Sequence, residues 1–419
     1  MYSLLNYKIT FNNCLFLKKK KYIFLLIKKS PGEIDWILPI LFYLKKDFNI
    51  FTIFKNDQTL ELLKKNRIIY NLWVKSSFAF TVQPKYKNIS WRLLKKIFFK
   101  LKFESFASKL DKIIQRKYFK IDEIINNLKK KLNAKLSYSV KISACFLEYT
   151  YKTPWVDNLQ NYEKDLKIFY YPHTSKISWS NKSLKIKRSI KSLNKFLFLN
   201  SKFDIKKWSN LFPDTNINAC GNLKYDKLWI KKILYKKERR KSKFIIFLSY
   251  NGLEKYHDKN NYISQVRSLM NVCLNIKNSY IRIKIHPLTS KKFLAKILKD
   301  YPKEKWEFSD DHLLNLINNC DFFICAFQSA SVLEGLALNK VPLELWNIDK
   351  KYRGYSDYKK MNLSLFIKNK NELQNKIENF FYDKIKIKKE MNLIFNNYNR
   401  LIKNNNLIQT VKFINERLN

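Results

Sequence analysis

The chain has 419 residues, 46% hydrophobic and 16% aromatic, which excludes a disordered protein and allows two domains. Its formal net charge of +49 is typical of a protein with an anionic partner, such as nucleic acid, a membrane surface or an acidic small molecule. Only 11 of the 83 basic residues are arginines, and specific phosphate readers favour arginine. A solvated lysine-rich surface is therefore favoured over a nucleic-acid footprint, and no nucleic-acid partner is expected.

The cysteines and the apolar segments indicate a cellular compartment. The six cysteines, at positions 14, 145, 220, 273, 320 and 325, have no metal-type spacing, so we expect small core residues in a reducing environment. The beginning of the chain lacks a small-residue cleavage site, and apolar runs such as 36–44 are far shorter than the ~18–20 residues of a membrane span. We expect a cytoplasmic protein. Peripheral contact with the anionic inner face of the plasma membrane stays open, through a basic amphipathic helix predicted at 91–106.

The first half predicts a parallel sheet that opens with a β-α-β unit. Its elements are a strand at 22–27, a helix at 33–46, a strand at 48–54, and strands beginning near 167, 195 and 217. The second half alternates more sharply, with the basic cluster 231–243 as its linker. Its predicted strands are 244–252, which runs into a loop, 280–287, 321–327 and 341–347, and its predicted helices are 260–277, 290–301, 312–320 and 329–340. This alternation predicts an open, doubly wound parallel sheet. Two polar helices follow from about residue 370.

Three loops follow strands of the second sheet, where doubly wound folds bind ligands. They lie at 249–252, 286–290 and 328–331. Asn251 and Gly252 are the candidates in the first loop, because glycine permits tight turns close to a ligand. In the second loop, Pro287 ends the strand and leaves His286 at the sheet edge, where its imidazole can donate to a phosphate. A purely structural histidine is the alternative, which the neighbouring serines make less favoured.

The third loop carries two serines at a helix start. Unpaired N–H groups and the helix dipole attract anions there, and the hydroxyls of Ser329 and Ser331 add donors. Glu334 follows Ser331 at capping-box spacing. It either caps the helix or contacts a ribose or sugar hydroxyl. Gly335 is expected to let this helix pack closely on the sheet.

The stretches "KIHP" and "CDFFICAFQSASVLEGLALNKVPLELW" resemble the nucleotide-sugar-binding domain of GT-B-fold glycosyltransferases, over about residues 220–350. The most similar families are bacterial surface-polysaccharide enzymes: capsule transferases, polysialyltransferase-like proteins and CDP-glycerol glycerophosphotransferases. "CGNLKYD" (220–226) is similar to their Gly-Asn-Pro-Arg-Tyr-Asp segment, with Leu223 and Lys224 in place of Pro-Arg. The resemblance implies two Rossmann-like doubly wound domains facing a cleft, at 1–225 and 226–370, followed by helices at 371–419. It also implies that His286, Ser329 and Ser331 hold the donor's phosphates.

The implied activity is transfer of a sugar or polyol phosphate from a nucleotide-activated donor to an oligosaccharide or lipid-linked acceptor of a surface polysaccharide. Glu33, Asp35 and His173 are the candidates for activating the acceptor hydroxyl. The carboxylates are alternatively explained by the following helix's N-terminus. No Asp-x-Asp motif occurs, so a metal-independent reaction without a further cofactor is expected. A UDP-N-acetylglucosamine 2-epimerase-like isomerase and a non-catalytic anion-binding protein are the alternatives.

Overall fold

The computed structural model describes most of the two halves of the chain. The described residues are 5–10, 21–27, 31–54, 57–84, 126, 129–130, 141–148, 166–172, 194–211, 215–234, 242–248, 258–286, 289–348, 354–401 and 406–418. They divide into two compact units. The N-terminal unit comprises Met1–Lys64, Ile69–Lys224 and Asn406–Asn419, and the C-terminal unit comprises Lys65–Ile68 and Tyr225–Asn405. The predicted segment 371–419 is thus split between the units.

Within the described ranges, the N-terminal unit contains an eight-stranded sheet in the order β1-β4-β3-β2-β5-β6-β7-β8. The strands are β1 (Leu5–Thr10), β2 (Lys21–Ile27), β3 (Asn49–Phe54), β4 (Phe78–Pro84), β5 (Lys141–Glu148), β6 (Lys167–Tyr171), β7 (Lys195–Phe198) and β8 (Asn216–Asn218). The helices described before residue 224 are α1 (Pro31–Leu44), α2 (Asp57–Lys65), α3 (Arg67–Val74) and α4 (Ile205–Leu211). All neighbouring strands are parallel except β1, which pairs antiparallel with β4 at the edge.

The core of this sheet is an aromatic ladder. The ring of Phe169 in β6 stacks between Phe146 of β5 and Phe196 of β7, with centroids 4.9 and 4.8 Å apart. Strands β2, β3 and β6 are buried throughout, apart from the first residues of β2 and β6, as parallel strands covered on both faces must be. This explains why they appear in the sequence as continuous apolar runs rather than as alternating patterns.

The C-terminal unit contains, in its described residues, a six-stranded parallel sheet in the order β11-β10-β9-β12-β13-β14. The strands are β9 (Ser242–Leu248), β10 (Ile281–Ile285), β11 (Trp306–Phe308), β12 (Cys320–Cys325), β13 (Pro342–Glu344) and β14 (Leu365–Phe366). The helices are α5 (Lys227–Ile233), α6 (Lys259–Leu274), α7 (Lys291–Leu298), α8 (Leu313–Asn318), α9 (Val332–Ala337), α10 (Asp357–Lys360), α11 (Lys370–Tyr382) and α12 (Lys384–Leu401). This is the strand order of a Rossmann domain.

Helices cover both faces of the C-terminal sheet. Helix α6 contacts α7, and α8 contacts α9. Right-handed crossovers place these pairs on opposite faces, because the chain moves in opposite directions across the sheet before and after β11. Helix α9 packs closely, since a Cβ on Gly335 would lie 3.0 Å from Phe323 Cδ1 and 3.2 Å from the Lys340 carbonyl oxygen. The predicted close packing at Gly335 is confirmed. The doubly wound α/β class predicted from the sequence is also confirmed.

The last helix, α13 (Leu407–Leu418), contacts α1 of the N-terminal unit. Its buried stripe includes Leu407, Ile414 and Leu418. The backbone N–H of Asn406 donates to the Cys220 carbonyl oxygen at 3.3 Å, which fixes the start of the helix. The sequence predicted two polar helices from about residue 370, whereas the described residues there contain three, α11, α12 and α13. An amphipathic pattern also does not specify the surface that a helix covers.

None of the helices in the described ranges has the length and hydropathy needed to span a bilayer. The helix predicted at 91–106 lies outside the described residues. The five described cysteines are buried and form no disulfide, in line with the small core residues that the sequence predicted.

Candidate functional site

The strand order of the C-terminal sheet reverses between β9 and β12. From β9 the chain winds outward through β10 and β11, and then returns to the other side of β9 to form β12. In open α/β sheets the loops at such a reversal diverge and leave a crevice outside the carboxyl ends of the strands, where ligands bind. The loop that enters this crevice from β12 is 326–331, called the serine loop below.

The two serines of this loop are held together. Their hydroxyl oxygens are 2.7 Å apart, and the backbone N–H of Ser331 donates to Ser329 Oγ at 3.3 Å. Both residues are buried. Ser331 occupies the N-cap position of α9, but its side chain makes no capping hydrogen bond. The capping box, one of the two roles considered for Glu334, is therefore not formed, because the Ser331 hydroxyl is turned towards Ser329 and the Cys325 thiol.

Helix α9 is shorter than the sequence predicted. It spans six residues, Val332–Ala337, rather than 329–340. The serines thus lie in a turn ahead of the helix, with the N–H of Val332 bonded to the Ser329 carbonyl oxygen at 3.2 Å. Glu334 lies in the first helical turn and is half-buried.

Gln328 gives the serine loop an unusual backbone shape. Its φ of +56° lies in the left-handed region, where the backbone of any residue other than glycine is strained. Within the described ranges, the other non-glycine residues with positive φ are Asn278, Asn339 and Asn362, and asparagine tolerates this region far better. The side chain of Gln328 is clamped by Asp357, with Nε2 to Oδ2 at 2.7 Å and the Asp357 N–H to Oε1 at 2.8 Å.

A buried carboxylate beneath the loop holds Gln328 in place. Glu344, the last residue of β13, is fully buried, and its Oε1 accepts the backbone N–H of Gln328 at 2.7 Å. Its Oε2 accepts the hydroxyls of Ser356 and Ser364, each at 2.7 Å. Burial raises the pKa of Glu344, and the three hydrogen bonds oppose this rise. A buried carboxyl group with three donors is the arrangement that makes such a group tolerable in a core.

His286 lies at the same edge of the sheet as the serine loop. Lys284 and Cys325 are aligned through their common partner Phe247 in β9, so their Cα atoms are two strand spacings, about 10 Å, apart. The chain turns immediately after β10, because the N–H of Thr289 donates to the His286 carbonyl oxygen at 2.8 Å. Burial lowers the pKa of the His286 imidazole, which favours a neutral ring that can still donate one hydrogen bond.

Lys284, near the end of β10, is within electrostatic range of Glu334 in the helix that follows the serine loop. Burial lowers the pKa of its ammonium, while the charges of Asp310, Asp311 and Glu334 act in the opposite direction. Glu334 is therefore close enough to Lys284 to interact electrostatically. Lys284 is the penultimate residue of β10, and His286 follows the final strand residue, Ile285. The structure thus brings His286, Lys284 and Glu334 to one edge together with the two serines.

The N-terminal sheet has its own reversal, between β2 and β5. Helix α1 begins there, with Glu33 and Asp35 in its first two turns. Glu33 is fully buried, whereas Asp35 is partly exposed and pairs with Lys224, its Oδ2 lying 3.3 Å from Nζ. Asn200 holds the same turn, because Trp36 Nε1 donates to its Oδ1 at 2.8 Å.

Two residues that the sequence analysis missed lie beside Glu33. Glu148 is the last residue of β5 and Tyr171 the last of β6, and both are buried. Burial raises the pKa of the Tyr171 phenol, and the charges of Glu33 and Glu148 raise it further. The Tyr171 ring stacks on Trp36, with centroids 5.8 Å apart. This edge is therefore acidic and aromatic.

Glu344 was also missed by the sequence analysis. The sequence did carry a signal, because Glu148 and Glu344 each end an apolar strand, in "ISACFLE" and "VPLE". His173, Asn251 and Gly252 lie outside the described residues. No group of three or more His, Cys, Asp or Glu side chains in the described ranges is arranged to hold a metal ion.

Comparison with known proteins identifies the fold. No protein-family model matches the sequence, and no curated protein matches it significantly. Solved structures do match. A UDP-glucosyltransferase from Polygonum tinctorium superposes with a TM-score of 0.55 at 9% identity, over 96% of this chain and 99% of that one. A protein described as a UDP-N-acetylglucosamine 2-epimerase from Listeria monocytogenes gives a TM-score of 0.54 at 10% identity, over 90% of each chain.

The S. aureus MnaA protein, solved with UDP, gives a TM-score of 0.53 at 11% identity, over 90% of this chain and 91% of that one. These likenesses extend over nearly the whole of each protein. The chain therefore has the GT-B-type fold of two Rossmann-like domains that glycosyltransferases and this epimerase share.

Proposed function

We propose that the protein is a glycosyltransferase that moves a sugar or polyol phosphate from a nucleotide-activated donor to a surface-polysaccharide acceptor, without a metal ion. The observation that carries this proposal is the serine loop at the strand-order reversal of a Rossmann sheet, in a chain whose fold is that of glycosyltransferases. The Ser329 and Ser331 hydroxyls and the His286 imidazole act as fixed donors that stabilise the leaving phosphate as its charge develops. Asn251 and Gly252 join them from the loop after β9.

The acceptor hydroxyl is activated from the N-terminal unit by Asp35, Glu33 or His173. Of the two carboxylates, Asp35 is favoured, because its side chain is partly exposed while Glu33 is fully buried. The Lys224 ammonium, 3.3 Å from Asp35 Oδ2, holds this carboxylate in position. Oligosaccharides and lipid-linked acceptors both fit this proposal, and the second would bring the protein to the anionic inner face of the plasma membrane from a cytoplasmic location.

An epimerase activity is the second candidate, because two proteins with the same fold are a described UDP-N-acetylglucosamine 2-epimerase and a protein solved with UDP. Incubation with UDP-N-acetylglucosamine alone separates the candidates. An epimerase converts this substrate without an acceptor, whereas a transferase leaves the sugar's stereochemistry unchanged. Nuclear magnetic resonance of the sugar gives the answer directly.

A thermal-shift panel of CMP, CDP, UDP and GDP tests the proposed donor site. A nucleotide present at 100 times its dissociation constant adds about 2.7 kcal/mol to the stability of the folded state. We expect one base to raise the unfolding temperature and the others to do so less. No shift with any nucleotide contradicts the proposed function. If binding instead falls steeply with salt and is indifferent to the nucleotide, the high net charge accounts for it as non-specific anion binding.

A further inference from the structure

We propose that Glu344 is the positioning residue of the donor site: through the backbone N–H of Gln328 it holds the serine loop in the shape that binds phosphate. This inference rests on the proposed function, since it assigns the loop to a nucleotide's phosphates. Glu344 itself lies beneath the loop and is fully buried, so it acts through Gln328 rather than on the ligand.

The first support is the strain at Gln328. A left-handed backbone at a glutamine persists only where its surroundings enforce it. Here two groups do so independently. The Glu344 carboxylate accepts the backbone N–H, and Asp357 accepts and donates to the two ends of the side-chain amide.

The second support is that the network serves the loop and α10 together. Ser356 is the N-cap of α10, its hydroxyl donates to Glu344 Oε2, and it accepts the N–H of Lys359 at 2.9 Å. Asp357 is the first residue of the same helix. Glu344 therefore accepts hydrogen bonds from both the serine loop and the N-cap of α10. A hydrogen bond to a charged group in a dry site is strong and directional, which suits a device that fixes geometry.

The third support is where the strain is located. The residue after Gln328 is Ser329, whose hydroxyl is bonded to that of Ser331. A change of φ at Gln328 rotates the chain that follows it, and so moves both hydroxyls. An error of about 1 Å in such donors is enough to cost a large part of their effect on a reaction.

The test compares Glu344→Leu with Glu344→Gln. Leucine removes the acceptor. Glutamine keeps an oxygen that accepts the Gln328 N–H, and its NH₂ group donates to the hydroxyl oxygens of Ser356 and Ser364. We expect Glu344→Leu to weaken binding of the nucleotide that the wild type prefers by about 10- to 100-fold, the scale for a hydrogen bond to a charged group. Glu344→Gln should restore most of the affinity. Calorimetric titration gives both values.

Amide hydrogen exchange measures the loop without any nucleotide. We expect exchange in the peptide covering 326–332 to accelerate roughly tenfold in Glu344→Leu and little in Glu344→Gln. Asn315→Ala is the matched control: Asn315 is also buried in this unit and donates to the Ile233 carbonyl oxygen at 3.3 Å. Its loss should lower the unfolding temperature without changing loop exchange or affinity. If Glu344→Leu behaves like this control, Glu344 contributes to stability alone and the inference is wrong.

A second pair of variants covers the case in which Glu344→Leu does not fold. Gln328→Pro and Gln328→Gly both remove the clamp to Asp357, but only proline removes the N–H and forbids a positive φ. We expect proline to abolish most of the affinity and glycine to lose much less. Equal losses contradict the inference. If the wild type binds no nucleotide, the proposed function fails, yet the exchange experiment still decides whether Glu344 holds the loop.

Discussion

Both units place their first long parallel strand inside the sheet and wind away from it in two directions, so each sheet has one reversal of strand order. The side chains at the two reversals differ. In the C-terminal unit they are hydroxyls and an imidazole, near the left-handed backbone of Gln328, whose N–H is bonded to Glu344. In the N-terminal unit they are carboxylates, a phenol and an indole. The shared topology gives each unit a crevice of the kind that binds ligands, and the different side chains are the basis for the proposed division into an anion site and an acceptor site.

The sharpest test of this division is the loss of the base in the N-terminal unit. Asp35→Asn keeps the shape but removes the proton acceptor, and we expect turnover to fall by about 10²–10⁴-fold, with nucleotide affinity unchanged. Turnover at saturating donor and calorimetry measure the two effects separately. Asp47→Asn, in the exposed turn after α1, is the control. If Asp35→Asn is fully active, Glu33 or His173 takes the role.

The next test removes a donor in the C-terminal unit. His286→Ala should lower turnover by about 10²–10³-fold, the scale for losing one charge-stabilising hydrogen bond. His312→Asn is a suitable control, because His312 caps α8 by accepting the Leu314 N–H, and asparagine can also cap. Unchanged turnover of His286→Ala at saturating donor removes this residue from the site.

A smaller effect is expected from the helix that follows the serine loop. In Gly335→Ala the new methyl group meets Phe323 at 3.0 Å and the Lys340 carbonyl oxygen at 3.2 Å. Because overpacking a core of this kind costs about 1–3 kcal/mol, the free energy of unfolding should fall by that amount in urea titrations. The residues proposed to activate the acceptor lie in the N-terminal unit, and we expect this substitution to leave them unaffected. A variant as stable as the wild type shows that α9 can shift without cost.

The smallest expected effect is a change of stability with pH. Burial raises the pKa of Glu344 above its ordinary value of 4.5, so the folded state holds this proton more tightly than the unfolded chain does. The resulting stability is fully present below about pH 4.5 and is lost as the pH rises through the raised pKa. Glu344→Gln does not titrate. We expect the unfolding free energy of the wild type minus that of the variant to decrease from pH 4.5 towards neutrality, and an increase contradicts the assignment.

The sequence predicted β9, β10, β12 and β13 and the helices α6 to α9 of the C-terminal unit, because parallel strands and their covering helices leave strong periodic and apolar signals. It missed the short strands β11 and β14. It also predicted that His286, Ser329 and Ser331 lie at one edge of the sheet, because the carboxyl ends of parallel strands meet there. It did not predict the network around Glu344. Hydrogen bonds between Glu344, Gln328 and Asp357 join three separate segments, and no local pattern encodes such contacts. The pair of buried carboxylates beside Tyr171 was missed for the same reason.

The packing of α13 on α1 bears on how the protein is made. Helix α13 of the N-terminal unit follows the whole of the C-terminal unit in the sequence, so it is synthesised only after that unit is complete. Domains are usually completed in the order of synthesis, but here the second unit can finish folding before the first is closed. Until then the surface that Leu407, Ile414 and Leu418 cover is exposed to water or to chaperones. A shortened chain ending before residue 406 would retain this uncovered apolar surface permanently.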